Sequence, residues 1–263
     1  KVFAPTAVAG RLLQLDQNTM LHAMGIAYAQ AAGERQCYVD GALTARMQHG
    51  FAANAAIKSA LLAERGITGA RNILTGRFGY YNSFVPNYNL DVLTSNLGRK
   101  FEGYTSSIKP YPCCKSNHGA IEATLNLINE HDIRPSDIDE IEVGVGQGAY
   151  NMVCEPPEIK GNPRNVVDCQ FSIPYTVAVA IVYGDVFLDD FTEDAIWRSD
   201  VRETLKKVKP YVEPEIEDPE SPVSAAKVTI KTNAGKKYLK NMPFIKGCPQ
   251  NPMTMADVAE KFR

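Results

Sequence analysis

The sequence predicts a chain in two parts: an all-helical part, then an α/β part, with a return to helix at the end. Three observations carry this. The first hundred residues are rich in Ala and Leu and carry helix start and stop residues. From about Gly103 to Met242, runs appear that alternate apolar and polar residues, the period of a half-buried strand. After Met242, NPMTMADVAEKFR opens a helix with Thr254 as N-cap and Asp257 at the third helical position, a carboxylate form of the capping box.

The elements follow in order. DQNTMLHAMGIAYAQAAGE reads as a helix with capping residues at Asp16 and Asn18 and a stop at Gly33. HGFAANAAIKSALLAERGITG reads as a second helix ending at Gly66, and the small residues on both predict close helix packing. GRFGYYNSFVPNYN is expected to be a loop, and LDVLTSNLG a short helix. FEGYTSSIKPYP is expected to be extended, and Cys113 to His131 helical. IDEIEVGVGQG alternates as a strand does. VVDCQFSIPYTVAVAIVYGD is apolar but carries Asp168 and Gln170 and ends in Gly184–Asp185, so it is expected to be a core helix rather than a membrane span. DVRETLKKVKPYV reads as an amphipathic helix. AAKVTIKTNAGKKYLKNM reads as a β-hairpin turning at Asn233–Ala234–Gly235. The acidic EPEIEDPESP between them reads as a solvated loop.

Bulk properties narrow the function. The chain has 263 residues, 28 basic and 30 acidic, with a net charge of −2. That balance excludes the clustered basic excess of a nucleic-acid binder. No apolar run makes a membrane span, and the opening KVFAPTAVAGRLLQLD has no secretory h-region. The six cysteines form no C-x-x-C pair, which leaves a zinc ribbon or redox motif unsupported. They are expected to be reduced thiols in a cytoplasmic setting.

Chemistry concentrates in SSIKPYPCCKSNHGAIEA, residues 106–123. His118, Ile121, Leu125 and Ile128 fall on one helical face, so the histidine heads an apolar stripe. Lys115 lies three residues earlier on the same side. Lys109 and Tyr111 enter from a loop stiffened by Pro110 and Pro112. Two lysines, an imidazole and the free N–H groups of a first helical turn suit a polycarboxylate, and imidazole moves protons near neutral pH. The plainer reading is a hydrogen-bonded core histidine beside solvated lysines. RMQHGFAA places Arg46 and His49 just before or at the start of an Ala-rich helix, again an end that suits anions. Tyr175, after Pro174, is a proton donor or a core ring; its apolar neighbours favour the ring.

With these residues in view, the chain resembles the MmgE/PrpD family, whose members include 2-methylcitrate dehydratase, cis-aconitate decarboxylase and iminodisuccinate epimerase. The strings that carry the likeness are AGRLLQLD, HAMGIAYAQAAGE, RMQHGFAANAA, LLAERGITGA, KPYPCCKSNHGAIEA, DCQFSIPYTVAVAIVYGD and GCPQNPMT…EKF, in that order. The resemblance implies a two-domain enzyme: an all-α helical domain from 1–102 and 243–263, and an inserted α/β lid domain from 103–242. It implies a site without metal or other cofactor, small di- or tricarboxylate substrates, homodimers, and no nucleic-acid or membrane partner. The implied reaction is a dehydratase lyase reaction that removes a proton next to a carboxylate, with decarboxylation or epimerisation as the alternative. Carried over position by position, the resemblance implies Lys109, His118 and Tyr175; together with the residues read at the two junctions, the expected set is His118, Lys109, Tyr175 and His49 as catalytic, and Arg46, Gln48, Lys115 and Tyr111 as substrate-binding.

The sequence departs from the family pattern at RMQHG, where many members carry Lys-x-x-His: with Gly50 aligned, those two positions are Ala45 and Gln48. His49 and Arg46 are the residues placed to stand in. The resemblance further implies an upstream helical segment, with an aspartate and a G-x-H-x-T-type motif, ahead of Lys1. The chain is therefore expected to be a fragment with an incomplete site. Two rival readings are a non-catalytic partner chain and a thiol-dependent enzyme using Cys113 or Cys114.

Overall fold

The computed structural model describes residues 1–216 and 225–262. Contacts divide the chain into two compact units, Lys1–Cys37 with Ala42–Phe101, and Tyr38–Gly41 with Glu102–Arg263.

The first unit is helical, as its composition predicts. Its main helices are Phe3–Leu12, Gln17–Ala29 and Thr44–Glu64. Asp16 caps the second by accepting from the Thr19 N–H at 2.9 Å. Asn18, also expected to cap, lies inside the helix and accepts from Arg71 instead. Buried Ala23, Ala27, Ala52, Ala56, Ala60 and Ala63 let these helices approach closely. At Gly25 the approach is backbone to backbone, since an added Cβ would lie 2.2 Å from the Ala70 carbonyl oxygen. The third helix begins at Thr44, so Arg46 to His49 occupy its first turns. Inside the expected loop at 76–89, Tyr80–Phe84 forms a short helix. Aromatic ring contacts, T-shaped and tilted, explain it, with Tyr80 meeting Phe3, Tyr81 and Phe84. LDVLTSNLG gives only a 3₁₀ turn at Leu90–Leu93.

The second unit is built on a four-stranded sheet of order β2-β1-β3-β4. The strands are β1 (Ile138–Val145), β2 (Val208–Val212), β3 (Ala226–Thr232) and β4 (Lys237–Met242). β1 pairs parallel with β2 and antiparallel with β3, which forms the expected hairpin with β4. DVRETLKKVKPYV is not one helix: it is helical over Ser199–Leu205 and then becomes β2. Pro210 has no N–H to give a continuing helix, and a proline is tolerated in an edge strand such as β2. The expected extended segment at 101–112 holds a 3₁₀ turn, Glu102–Thr105, and no strand.

One face of the sheet is covered by the helices His118–His131 and Ile173–Tyr183. Ile141 and Val143 of β1, Val228 and Ile230 of β3, Leu127 and Val177 share the main apolar cluster. The apolar run at 166–185 is split in two, Val166–Gln170 and Ile173–Tyr183. Ser172 caps the second piece by accepting from the Tyr175 N–H, and Pro174 sits in its first turn. Among the described residues no helix is long and apolar enough to cross a membrane.

The segment after 242 was expected to lie with the helical domain; it packs instead in the second unit. The Lys246 N–H donates to the Glu122 carboxylate at 2.7 Å, and Ile108 N–H donates to the Gly247 carbonyl at 2.8 Å. Gly247 has φ +87°, and an added Cβ there would meet the Ile108 oxygen at 1.9 Å. The capping box forms as expected: Thr254 Oγ1 accepts from the Asp257 N–H, and the Asp257 carboxylate accepts from the Thr254 N–H. All six cysteines are free thiols. Of the acidic loop EPEIEDPESP, 217–222 lie outside the described residues.

Candidate functional site

The helix expected from Cys113 starts at His118, after a 3₁₀ turn at Lys115–Asn117. Cys113 and Cys114 therefore belong to the loop. Gln170 pins that loop from the neighbouring turn. Its carbonyl accepts from the Cys114 N–H (2.9 Å) and from Asn117 Nδ2 (3.1 Å), and its own amide donates to the Pro112 carbonyl (3.0 Å).

His118 is fully buried, and neither ring nitrogen makes a well-aligned hydrogen bond, although the Cys113 backbone lies close enough to act on the ring. Its ring meets that of Tyr111 in a T-shaped arrangement, with centroids 5.3 Å apart and planes at 77°. Burial pulls the imidazole down to about 3, helped by Lys109, Lys115 and Lys261 and opposed by the nearby Cys113 backbone. The ring is therefore a neutral base among positive charges.

The lysines are held in place. Lys109 Nζ donates to the Cys113 carbonyl at 2.9 Å, and Lys115 Nζ to Ser107 Oγ at 2.9 Å. Lys261, from the Met255–Phe262 helix, donates to the Lys109 carbonyl. Tyr111 is half-buried and lines a cleft of about 440 Å³ with Asp185, Lys246, Asp257, Glu260 and Lys261. Burial first, then the charges of Glu122 and Asp185, raise its phenol above the usual range, so it stays protonated.

Tyr175 is fully buried in the apolar cluster that also holds Ile121 and Phe191. Its hydroxyl donates to the Asp190 carbonyl at 2.5 Å. This is the environment of a core ring, the reading its apolar neighbours favoured, and it braces the His118 helix through Ile121.

The three other residues singled out lie in the first unit, on the Thr44–Glu64 helix. Arg46 and His49 are exposed, and Gln48 is buried. Gln48 accepts from Lys1 Nζ at 2.7 Å and donates to the Glu34 carbonyl at 2.7 Å and to the Cys37 sulfur at 3.1 Å. The structure thus gathers Lys109, Tyr111, Lys115 and His118 at one junction, and Arg46, Gln48 and His49 on one helix.

Reading the sequence alone missed Lys261, Gln170 and Asn117. Lys261 arrives from 152 residues away, and no local pattern announces it. Asn117 was in view, next to His118, but reads as an ordinary polar residue of a loop.

The thiol reading loses ground at Cys113. Burial pushes its thiol up to about 12, and the thiolate is the reactive form. Cys113 is expected to stay unmodified by iodoacetamide at pH 7.5 in the folded chain and to react on unfolding, as read by peptide mass spectrometry. Rapid labelling in the native state would return the thiol mechanism to consideration.

Comparison with known proteins adds to this geometry. Residues 1–93 match the model of the MmgE/PrpD N-terminal domain, and residues 111–263 that of the MmgE/PrpD C-terminal domain. The chain is 28% identical to cis-aconitate decarboxylase of Aspergillus terreus, over 99% of this chain and 55% of that protein. It is 24% identical to cis-aconitate decarboxylase of Homo sapiens, over 98% and 53%. It is 22% identical to 2-methylcitrate dehydratase of Salmonella typhimurium, over 89% and 50%. The chain spans about half the length of the curated relatives it matches.

Proposed function

The chain belongs to the MmgE/PrpD family, and from that premise we propose that it serves a lyase reaction on a small di- or tricarboxylate, with dehydration as the first reading. The observation that carries the proposal is a fully buried imidazole with neither nitrogen in a well-aligned hydrogen bond, set among Lys109, Lys115 and Lys261. A carboxylate bound by these lysines offsets their charge and draws the His118 imidazole back toward the range in which it accepts a proton. His118 then takes the proton from the carbon beside a carboxylate. The C–H electron pair becomes the new double bond, and the hydroxyl leaves as water with a proton supplied by an acid. Tyr111, kept protonated by burial, is the acid beside the imidazole. The lysines stabilise charge growing on the carboxylate in the transition state. Tyr175 positions the helix that carries His118.

A second reading is decarboxylation, favoured by the 28% identity to a protein named for that reaction. There the C–C bond to a carboxylate breaks, CO2 leaves, and the electron pair left on carbon takes a proton from the same imidazole, which solvent has first protonated to the imidazolium. Contributions from Arg46, Gln48 and His49, an inserted-lid role for the α/β domain, a site free of metal, homodimeric assembly and a cytoplasmic location belong to the same proposal on the family resemblance.

The test is proton NMR in D2O with citrate, 2-methylcitrate, cis-aconitate and iminodisuccinate. Loss of water from, or deuterium entry into, a hydroxy-acid supports dehydration. CO2 release from cis-aconitate supports the second reading. Silence with all four substrates counts against both and for the non-catalytic partner chain.

A further inference from the structure

We infer that the side-chain amide of Asn117 recognises a hydroxyl group on the substrate, so that the site selects hydroxy-polycarboxylates over the same acids lacking the hydroxyl. The inference rests on the lyase reading and names a substrate feature within it.

Asn117 is fully buried. Its Nδ2 donates to the Gln170 carbonyl at 3.1 Å. A carbonyl only accepts, so this bond fixes the amide's orientation and leaves Oδ1 as the open end. Oδ1 meets no donor. A buried polar atom without a partner is costly, and native proteins keep few of them. Four unpartnered buried side-chain atoms are found among the described residues, and three belong to Asn117 and His118. Both residues border Cys113: the amide lies beside its thiol and the imidazole beside its backbone. Lys109 donates to the carbonyl of the same Cys113. The unpartnered atoms and a lysine thus converge on one residue, at the start of a 14-residue helix.

The chemistry of the open atom names its ligand. An amide oxygen requires a donor. Ionised carboxylates are acceptors only and repel it; the lysines are their partners. The donor that a citrate-like polycarboxylate has to offer is an alcohol O–H. In dehydration that alcohol is the leaving group, and its hydrogen bond to Oδ1 orients the C–O bond that breaks.

Citrate and propane-1,2,3-tricarboxylate differ only by the hydroxyl. Calorimetric titration of the full chain with each is expected to give at least about tenfold tighter binding of citrate. Asn117→Leu, close in size but without the oxygen, is expected to bind the two alike. A preference for citrate that survives in Asn117→Leu overturns the inference. Should that variant not fold, the wild-type pair decides: equal affinities mean that water pairs Oδ1, which overturns the inference and leaves the lyase reading standing. Binding of neither acid overturns both.

Discussion

His118→Asn is expected to lower turnover by about 10²- to 10⁴-fold, the usual contribution of a positioned acid–base group. It also changes how stability depends on pH. The folded imidazole titrates at about 3, whereas an unfolded histidine titrates near 6.5. Below about pH 6.5 the unfolded chain therefore binds a proton that the folded chain refuses. The stability that the neutral ring contributes is complete above that pH and is lost as the pH falls towards 3. Each pH unit in that window costs the wild type up to about 1.4 kcal/mol more than the variant. Urea unfolding of both proteins at pH 7, 5.5 and 4 measures the difference, because every other titrating group cancels. Parallel curves would mean that the ring is solvated and free to protonate. A parallel pair of curves with full activity in His118→Asn would remove His118 from the chemistry altogether.

Gly247→Val is expected to cost about 3 kcal/mol or more, because it combines a positive φ with an overpacked contact. The φ of +87° disfavours any side chain, and the new Cβ would fall 1.9 Å from the Ile108 oxygen. Relief requires the backbone at 108 to move, which breaks its N–H bond to the Gly247 carbonyl. Lys109 is the next residue. The same substitution is therefore expected to weaken polycarboxylate binding as well as stability, although it adds no charge and removes none. Denaturant unfolding and citrate titration of one preparation measure both. A variant within 1 kcal/mol of wild type, with binding intact, would show that the backbone at 108 yields without carrying Lys109 along.

Much of the fold was legible because its signals are local. Asp16 and Thr254 announced helix starts by their own side chains, and the apolar alternation of IDEIEVGVG and AAKVTIK gave strands of the right period. The failures lie where distant partners decide. Residues 208–212 became a strand only because β1 offered a parallel edge, and nothing in KKVKPYV records that offer. The extended reading of 101–112 found no neighbouring strand to pair with. At the candidate site, Lys109, Tyr111, Lys115 and His118 were legible because they crowd into one short string. Lys261 was not, since it lies 152 positions along the chain from Lys109 and only the fold brings the two together. The burial of the imidazole was half legible: the stripe of Ile121 and Ile128 predicted an inward face, but not that both nitrogens would lack a well-aligned partner.

The proline in β2 has a consequence outside the site. A sheet of four strands ends in two open ladders, and such ladders template pairing between chains. β2 carries Lys209 and Pro210 at one border, and β4 carries Lys237 and Lys240 at the other. A second chain adding along β2 meets a missing donor and a charge; along β4 it meets like charges brought together. The residue that stopped a helix from continuing thus also keeps the sheet finite, and guards the protein against growing into fibres through its own edges.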